Sequence, residues 1–331
     1  MTSSFPYISL FFSTMTLGTL MTLSANQWLY VWMGLELNLL SFVPLITSSS
    51  MNRESEAAMK YFLAQAMGSG LLLLGVFTNM MFSAPSLTIN PGASFIFFAL
   101  LLKLGAAPCH FWFPAVMSNI SWPLCMTLAT WQKIAPLNIL MFSNSLNQSS
   151  LVLSVAALGS LIGGIGGLNQ TQLRPLFAYS SIGHLGWMIS TPSFLTLIIY
   201  LTIYIFITSA MMIIFWKLST KHWSFNISLL KSSPATTFSI IILLFSLAGL
   251  PPFIGFLPKW LILSSLTSSG ASLLWPLVLV LGSAIQLFYY LSLMFAFFMK
   301  SPNYSSLTFS PSSSKNQIIT CIATATLGLA P

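Results

Sequence analysis

Charge is scarce in this chain of 331 residues, where only 4% of the side chains are charged. A soluble protein carries about 25% charged residues, and no polar stretch here is long enough to enclose a core of its own. The chain is 56% hydrophobic, and its mean hydropathy is +0.88. This composition excludes a soluble domain and predicts a protein of the membrane.

Cysteine and catalytic motifs are scarce as well. Cys109, Cys125 and Cys321 are scattered, without a CxxC pair or a metal-ligand spacing, so we interpret them as small buried hydrophobes. We find no nucleophile–base motif, no haem or iron–sulfur ligation pattern and no dinucleotide fingerprint. Redox chemistry is therefore not expected in this chain alone. The net charge of +8 forms no basic stripe with interleaved aromatics, and nucleic acid is not an expected partner.

Apolar runs of about 20 residues, the length that crosses a bilayer as a helix, predict an all-α polytopic membrane protein with eleven spans. The runs cover residues 5–24, 27–47, 57–82, 92–113, 121–142, 149–168, 174–191, 193–216, 236–267, 273–299 and 315–331. We expect a single transmembrane domain over residues 1–331, with a core of about 5–300 and a C-terminal helix of about 315–331.

Eight peripheral basic residues support this count. The odd-numbered connections between spans carry no charge. All eight residues lie on even-numbered connections, and they are Arg53, Lys60, Arg174, Lys217, Lys221, Lys231, Lys300 and Lys315. A missed helix would put basic connections on both sides of the membrane. By the positive-inside rule, the N-terminus and the basic connections face the compartment of synthesis, and the C-terminus faces the other side.

Two of the predicted spans contain helix breakers. Gly105-Ala-Ala-Pro108 interrupts the fourth span, and Gly249-Leu-Pro-Pro252 interrupts the ninth. We predict broken helices near Pro108 and near Pro251-Pro252, because proline removes a helical donor. Each break lies within nine residues of a lysine at membrane depth. Backbone groups that lose their helical hydrogen bonds at that depth are tolerated only against protein or a water-lined cavity. The occurrence of each break beside a buried lysine therefore favours a transport function over a purely structural kink.

Four ionisable side chains lie deep inside the predicted spans: Glu36, Lys103, Lys133 and Lys259. A charge near the bilayer centre costs about 2.5–3.5 kcal/mol on insertion scales, and such residues commonly mark an ion or proton path. A lysine removed from water can load and release a proton. Lys259 lies in the second half of its span, so it could instead extend its ammonium group to an interface.

One acid and three lysines would leave two uncompensated positive charges in the membrane if all four ionised. Buried charges need partners. Either some lysines are neutral in a given state, or a neighbouring subunit supplies carboxylates. His110 and His184 also lie at membrane depth, where a histidine either relays protons or is held by a structural hydrogen bond.

Five segments carry a resemblance to the NADH dehydrogenase subunit 2 family, the antiporter-like membrane subunits of mitochondrial respiratory complex I. They begin at Trp32 (WMGLELN), Leu101 (LLKLGAAPCHFW), Trp131 (WQKIAP), Tyr179 (YSSIGHLGW) and Gly249 (GLPPFIGFLPK). The resemblance runs to about residue 300. It implies an antiporter-like fold that is shortened at the N-terminus relative to fourteen-helix bacterial relatives.

The resemblance also implies roles for the buried residues. Glu36 would pair with Lys103, Lys133 would be the central relay lysine, and Lys259 would pass or release the proton. Hydrated chains through His110 and His184 would join these points. The implied activity is that of a subunit of a proton-translocating NADH:ubiquinone reductase. No cofactor or metal is implied in this chain, while NADH, FMN, iron–sulfur clusters and ubiquinone belong to other subunits.

The implied partners are other complex I membrane subunits (the antiporter-like subunit 4 and small subunits such as 4L and 6), accessory subunits, and membrane lipids such as cardiolipin. The implied location is the mitochondrial inner membrane, with the N-terminus and basic loops on the matrix side and the C-terminus on the intermembrane-space side. Two alternatives stay open: a stand-alone cation/proton antiporter, and a structural spacer of the membrane arm that does not pump.

Overall fold

The computed structural model describes residues 5–48, 51–81, 91–142, 150–219, 234–270 and 272–298. Thirteen α-helices make up this part of the chain, and no strand occurs within it. In chain order they are α1 Phe5–Ser24, α2 Trp28–Ile46, α3 Asn52–Met81, α4 Pro91–Leu104, α5 Trp112–Asn119, α6 Trp122–Ala129, α7 Trp131–Phe142, α8 Ser150–Leu168, α9 Leu173–Ile189, α10 Phe194–Ser219, α11 Pro234–Ala248, α12 Phe256–Ser268 and α13 Leu274–Phe298.

The helices account for ten of the eleven predicted spans. Six of them, α1, α2, α3, α8, α10 and α13, are each long and apolar enough to cross a membrane. The other four are α4 with the break that follows it, α6 with α7, α9, and α11 with α12, while α5 lies almost wholly between the fourth and fifth predicted spans. The predicted helix at residues 315–331 lies outside the described residues.

The distribution of side chains is that of a polytopic membrane protein. Large apolar residues lie on the outside, where Leu17, Leu63 and Phe288 are 57%, 59% and 65% exposed. Small residues bring helices together inside: the backbones of α8 and α9 meet where Gly163 faces Gly183. Apolar outer faces and close contacts through small residues are what a lipid environment favours.

The break predicted near Pro108 is present. Helix α4 ends at Leu104, and α5 begins at Trp112. Gly105 has a φ of +67°, its N–H donates to the Leu102 carbonyl at 3.2 Å, and the N–H of Ala106 donates to the Leu101 carbonyl at 3.0 Å. This pair of bonds closes the helix end in a left-handed turn that favours glycine.

The break predicted near Pro251-Pro252 has the same construction. Helix α11 ends at Ala248, and Gly249 follows with a φ of +78°. The N–H of Gly249 donates to the Ser246 carbonyl at 3.1 Å, and that of Leu250 donates to the Phe245 carbonyl at 3.4 Å. The chain then crosses the two prolines before α12 begins. Both breaks are therefore glycine-closed helix ends rather than simple kinks.

A third interruption lies at Thr130, where the sequence predicts one continuous helix over residues 121–142. The hydroxyl of Thr130 donates to the Met126 carbonyl at 2.7 Å, and the N–H of Lys133 reaches back only three residues, to the Thr130 carbonyl at 3.3 Å. The backbone of Thr130 itself has a φ of −114° and a ψ of −69°, away from helical values, so the chain bends there between α6 and α7.

Candidate functional site

All three buried lysines adjoin an interruption of their helix. Lys103 is the second-last residue of α4, Lys133 the third of α7 and Lys259 the fourth of α12. Their side chains are 5%, 3% and 5% exposed, so Lys259 does not extend to an interface. Among the described residues, none of the three makes an ion pair with a carboxylate, whereas the exposed Lys60 pairs with Glu56 at 2.6 Å.

Lys133 is held by one hydroxyl, one carbonyl and two aromatic rings. Its ammonium group donates to the Tyr204 hydroxyl at 3.3 Å and to the Ser181 carbonyl at 3.4 Å. It lies 4.9 Å from the ring centroid of Tyr204 and 5.4 Å from that of Phe113. These groups stabilise an ammonium ion without neutralising it.

Lys259 caps the helix that precedes the second break. Its ammonium group donates to the carbonyl of Ala248, the last residue of α11, at 2.8 Å. The negative end of the helix dipole therefore meets a cation. Gly249 leaves room for this contact, because a Cβ there would lie 2.9 Å from Nζ of Lys259. The ring centroid of Trp187 is 5.9 Å from the same nitrogen.

Glu36 and Lys103 lie in one region of the bundle. Glu36 is half-buried on α2, and its charge acts on Lys103. Within the described residues, the two side chains make no direct ion pair. Gly68 on α3 leaves space for the lysine, since a Cβ there would be 3.0 Å from its Cγ. The Gln65 amide donates to the Lys103 backbone carbonyl at 3.0 Å, which fixes the end of α4 against α3.

His184 lies between the Lys133 and Lys259 sites, and the charges of both lysines act on it. Its Nδ1 shares a hydrogen bond of 2.9 Å with the Tyr200 hydroxyl. Its ring centroid is 5.2 Å from that of Tyr204, the tyrosine that binds Lys133. His184 is 4% exposed, and its Nε2 has no hydrogen-bond partner among the described residues.

Tyr200 and Tyr204 are functional candidates that the sequence did not reveal. They lie four residues apart on α10 and therefore share one helix face. In a sequence, two functional aromatic residues at that spacing cannot be distinguished from two aromatic residues that only pack in the core. Only their contacts with His184 and Lys133 distinguish them.

A narrow cavity connects this cluster to the second break. It is lined by His184, Tyr200, Tyr204, Ser246 and Gly255, among others, and it has room for about one water molecule. Ser246 and Gly255 flank the interruption between α11 and α12. The cavity therefore lies between the histidine and the element that carries Lys259.

His110 lies apart from these contacts, in the break between α4 and α5. Its Nδ1 is 3.1 Å from the Pro108 carbonyl, and its ring packs on Phe111 with centroids 4.3 Å apart. His110 contacts α9 through Tyr179, and the two ring centroids are 6.5 Å apart in an edge-to-face arrangement. Among the described residues, no hydrogen bond joins His110 to a buried lysine.

Metal ligands are not gathered anywhere in the described ranges. No group of three or more His, Cys, Asp or Glu side chains lies together there. Cys109 and Cys125 are free thiols, and Cys321 lies outside the described residues.

Comparison with known proteins relates this architecture to one family. Residues 25–286 match the family model described as NADH:quinone oxidoreductase/Mrp antiporter, transmembrane. The chain is 41% identical over 334 residues to NADH-ubiquinone oxidoreductase chain 2 of Lumbricus terrestris, which covers 98% of this chain and 97% of that relative.

Two solved structures share the fold at lower identity. A chain of respiratory complex I from Thermus thermophilus superposes with a TM-score of 0.80 at 24% identity, covering 97% of this chain and 77% of that one. A chain of the Mrp complex from Dietzia sp. gives 0.76 at 17% identity, covering 87% and 59%. Because the family model covers residues 25–286 and the curated relative matches over nearly its full length, the chain belongs to the NADH-ubiquinone oxidoreductase chain 2 family of antiporter-like membrane proteins.

Proposed function

We propose that this chain is a core membrane subunit of respiratory complex I and that it translocates protons across the membrane. Its relative from Lumbricus terrestris is named NADH-ubiquinone oxidoreductase chain 2, and its structural neighbour from Thermus thermophilus is a respiratory complex I. NADH oxidation and ubiquinone reduction take place elsewhere in such an assembly. In this proposal, other subunits hold NADH, FMN, the iron–sulfur clusters and ubiquinone.

The observation that carries the proposal is the environment of the three buried lysines. Each lies beside a helix interruption and makes no direct ion pair with a carboxylate among the described residues. A permanent structural charge at such depth would be paired, because an unpaired buried charge is costly. A desolvated lysine that meets only carbonyls, hydroxyls and aromatic rings can exist with or without its proton. Such a group is suited to relay protons.

The route of the proton follows the contacts. Glu36 and Lys103 form the first pair, and Lys133 is the central relay group. The Tyr204 hydroxyl and the His184 ring lead from Lys133 toward Lys259. A water molecule in the cavity beside His184 would continue the hydrogen-bonded path to the α11–α12 break.

The step from Lys103 to Lys133 needs a bridge. Phe113 lies between the two sites, since it packs against Gly105 and also faces the Lys133 ammonium group. No hydrogen-bonding side chain joins the two lysines within the described residues. We propose that water crosses this gap during turnover, with His110 as a neighbouring relay group rather than a direct link.

Topology and location follow from the basic residues. Among the described ones, Arg53 and Lys60 lie in the first third of α3, Arg174 at the start of α9 and Lys217 near the end of α10. Arg174 donates to the Ser118 carbonyl at 3.3 Å, which joins the start of α9 to the end of α5. We propose the mitochondrial inner membrane, with the N-terminus and these basic residues on the matrix side and the C-terminus on the intermembrane-space side.

The charge excess supports a role inside an assembly. Glu36 is one acid against three lysines at membrane depth. Carboxylates from neighbouring chains would balance the excess whenever more than one lysine is protonated. In this proposal the neighbours are antiporter-like subunit 4, small subunits such as 4L and 6, and accessory subunits, with lipids such as cardiolipin around them.

A second candidate is a stand-alone cation/proton antiporter. The description of the matching family model includes the Mrp antiporter, and a chain of the Mrp complex from Dietzia sp. has the same fold. Purified protein that exchanges cations for protons across a vesicle membrane, without other subunits, would favour this candidate.

The test of the proposed function is Lys133→Met in an assembled complex reconstituted into vesicles. Methionine is similar in length to lysine but lacks the desolvated ammonium group, so the substitution should not weaken packing. We therefore expect normal assembly but a loss of coupled turnover and of protons pumped per NADH oxidised. Lys60→Met, which changes an exposed lysine, is the control. Unchanged stoichiometry in Lys133→Met would instead indicate a structural spacer.

A further inference from the structure

Gln286 on α13 is a fully buried amide with no hydrogen-bond partner. Its side chain is 0% exposed, and neither its nitrogen nor its oxygen is bonded within the described part of the chain. An amide in this position is costly, since it has lost its water without gaining a protein partner. An apolar side chain of the same size would fill the space at no such cost.

The amide lies against the helix that carries the relay histidine. It occupies the space of the missing side chain of Gly183 on α9, where any Cβ would collide with it. His184 is the next residue, and its Nε2 is likewise buried and unbonded among the described residues. Gln286 therefore packs one residue along α9 from the histidine, and each of the two side chains carries an unbonded buried polar atom.

The same face of α13 continues toward the tyrosines of the relay. Tyr290 lies four residues after Gln286, one helical turn further on the same face. It is 2% exposed, and its hydroxyl makes no hydrogen bond of good geometry within the described residues. Tyr290 lies in the neighbourhood of Tyr200 and Tyr204, the partners of His184 and Lys133.

We propose that Gln286 binds water during proton translocation and that the Gln286–Tyr290 face of α13 is a branch of the relay beside His184. This inference rests on the proposed function. An amide donates and accepts hydrogen bonds but does not take up a proton. Gln286 is therefore a positioning residue, which holds water in line with the groups that exchange the proton.

Water reaches the amide when α9 and α13 move slightly apart. The two helices meet there through the backbone of Gly183 and the end of one flexible side chain. The branch is thus closed in the packed state and hydrated during turnover.

The experiment is Gln286→Met in the assembled complex in vesicles, compared with Leu279→Met, which lies seven residues earlier on α13 and is 1% exposed. Thermal stability of Gln286→Met should be unchanged or higher, because an unbonded amide is removed. Coupled turnover should nevertheless fall by about tenfold, the effect of one missing hydrogen bond in a rate-limiting transfer. Gln286→Asn, which keeps the amide, should restore part of the rate.

A second readout follows the water itself. Infrared difference spectra of the complex during turnover should contain a water O–H band that shifts in H₂¹⁸O and that Gln286→Met removes. If Gln286→Met is as active as Leu279→Met and keeps the band, the branch does not exist. Such a result would leave the proposed function intact as long as Lys133→Met abolishes pumping, so the two failures are distinguishable.

Discussion

Tyr204→Phe tests the link between the central lysine and the histidine. The substitution removes the hydroxyl that accepts a hydrogen bond from Lys133 at 3.3 Å, but it keeps the ring, whose centroid is 4.9 Å from the ammonium nitrogen. A hydrogen bond to a charged group contributes about 1.5–3 kcal/mol, and a bond this long belongs at the lower end. The loss of about 1.5 kcal/mol corresponds to about a tenfold slower transfer through Lys133. The Ser181 carbonyl, at 3.4 Å, remains as the other acceptor.

The assay is NADH-driven proton uptake by vesicles that contain the assembled complex, measured together with the rate of NADH oxidation. Tyr30→Phe is the matched control, because Tyr30 is 50% exposed on the outer face of α2. We expect the control to behave as the unmodified protein and Tyr204→Phe to slow both rates. Equal rates in both variants would refute the reasoning that the Tyr204 hydroxyl supports the relay.

Two glycine substitutions give further predictions. Gly183→Ala should destabilise the complex by about 1–3 kcal/mol through overpacking, since its Cβ would collide with the Gln286 amide; Gln286→Ala should restore the melting temperature, and no restoration would contradict the packing described here. Gly249→Ala and Gly270→Ala should each cost about 1–2 kcal/mol, because both residues have a φ above +70°. Only Gly249→Ala should also impair proton pumping, since its Cβ would displace Lys259 whereas the space around Gly270 is open; equal pumping in the two variants would show that the capping contact is dispensable.

Much of the fold was predictable because membrane insertion depends on local composition. Apolar runs predicted ten spans that the described residues contain, and the glycine–proline segments predicted both glycine-closed breaks. The interruption at Thr130 was missed. It lies where the backbone of Thr130 leaves helical angles, and neither Thr130 nor Pro136 marks that position in the sequence, because both residue types occur within unbroken membrane helices.

The candidate site was only partly predictable. The buried positions of Lys103 and Lys133 followed from their distance to either end of a span, while for Lys259 the sequence left open an exit to the interface that its contact with Ala248 excludes. His110 and His184 were indistinguishable in the sequence. In the structure, His184 lies between two lysines, whereas His110 bonds to the backbone of its own break.

The sequence by itself determined the membrane class, ten of the spans, the positions of the two helix breaks and the presence of buried lysines, because each depends on residues that are neighbours along the chain. Only the tertiary structure decided which polar groups meet. Tyr204 reaches Lys133 across 71 positions of the chain, and Gln286 meets Gly183 from a different helix. Such contacts depend on how each helix is rotated and how closely it packs against its neighbours, and in lipid the glycines and polar side chains of the interior govern that packing.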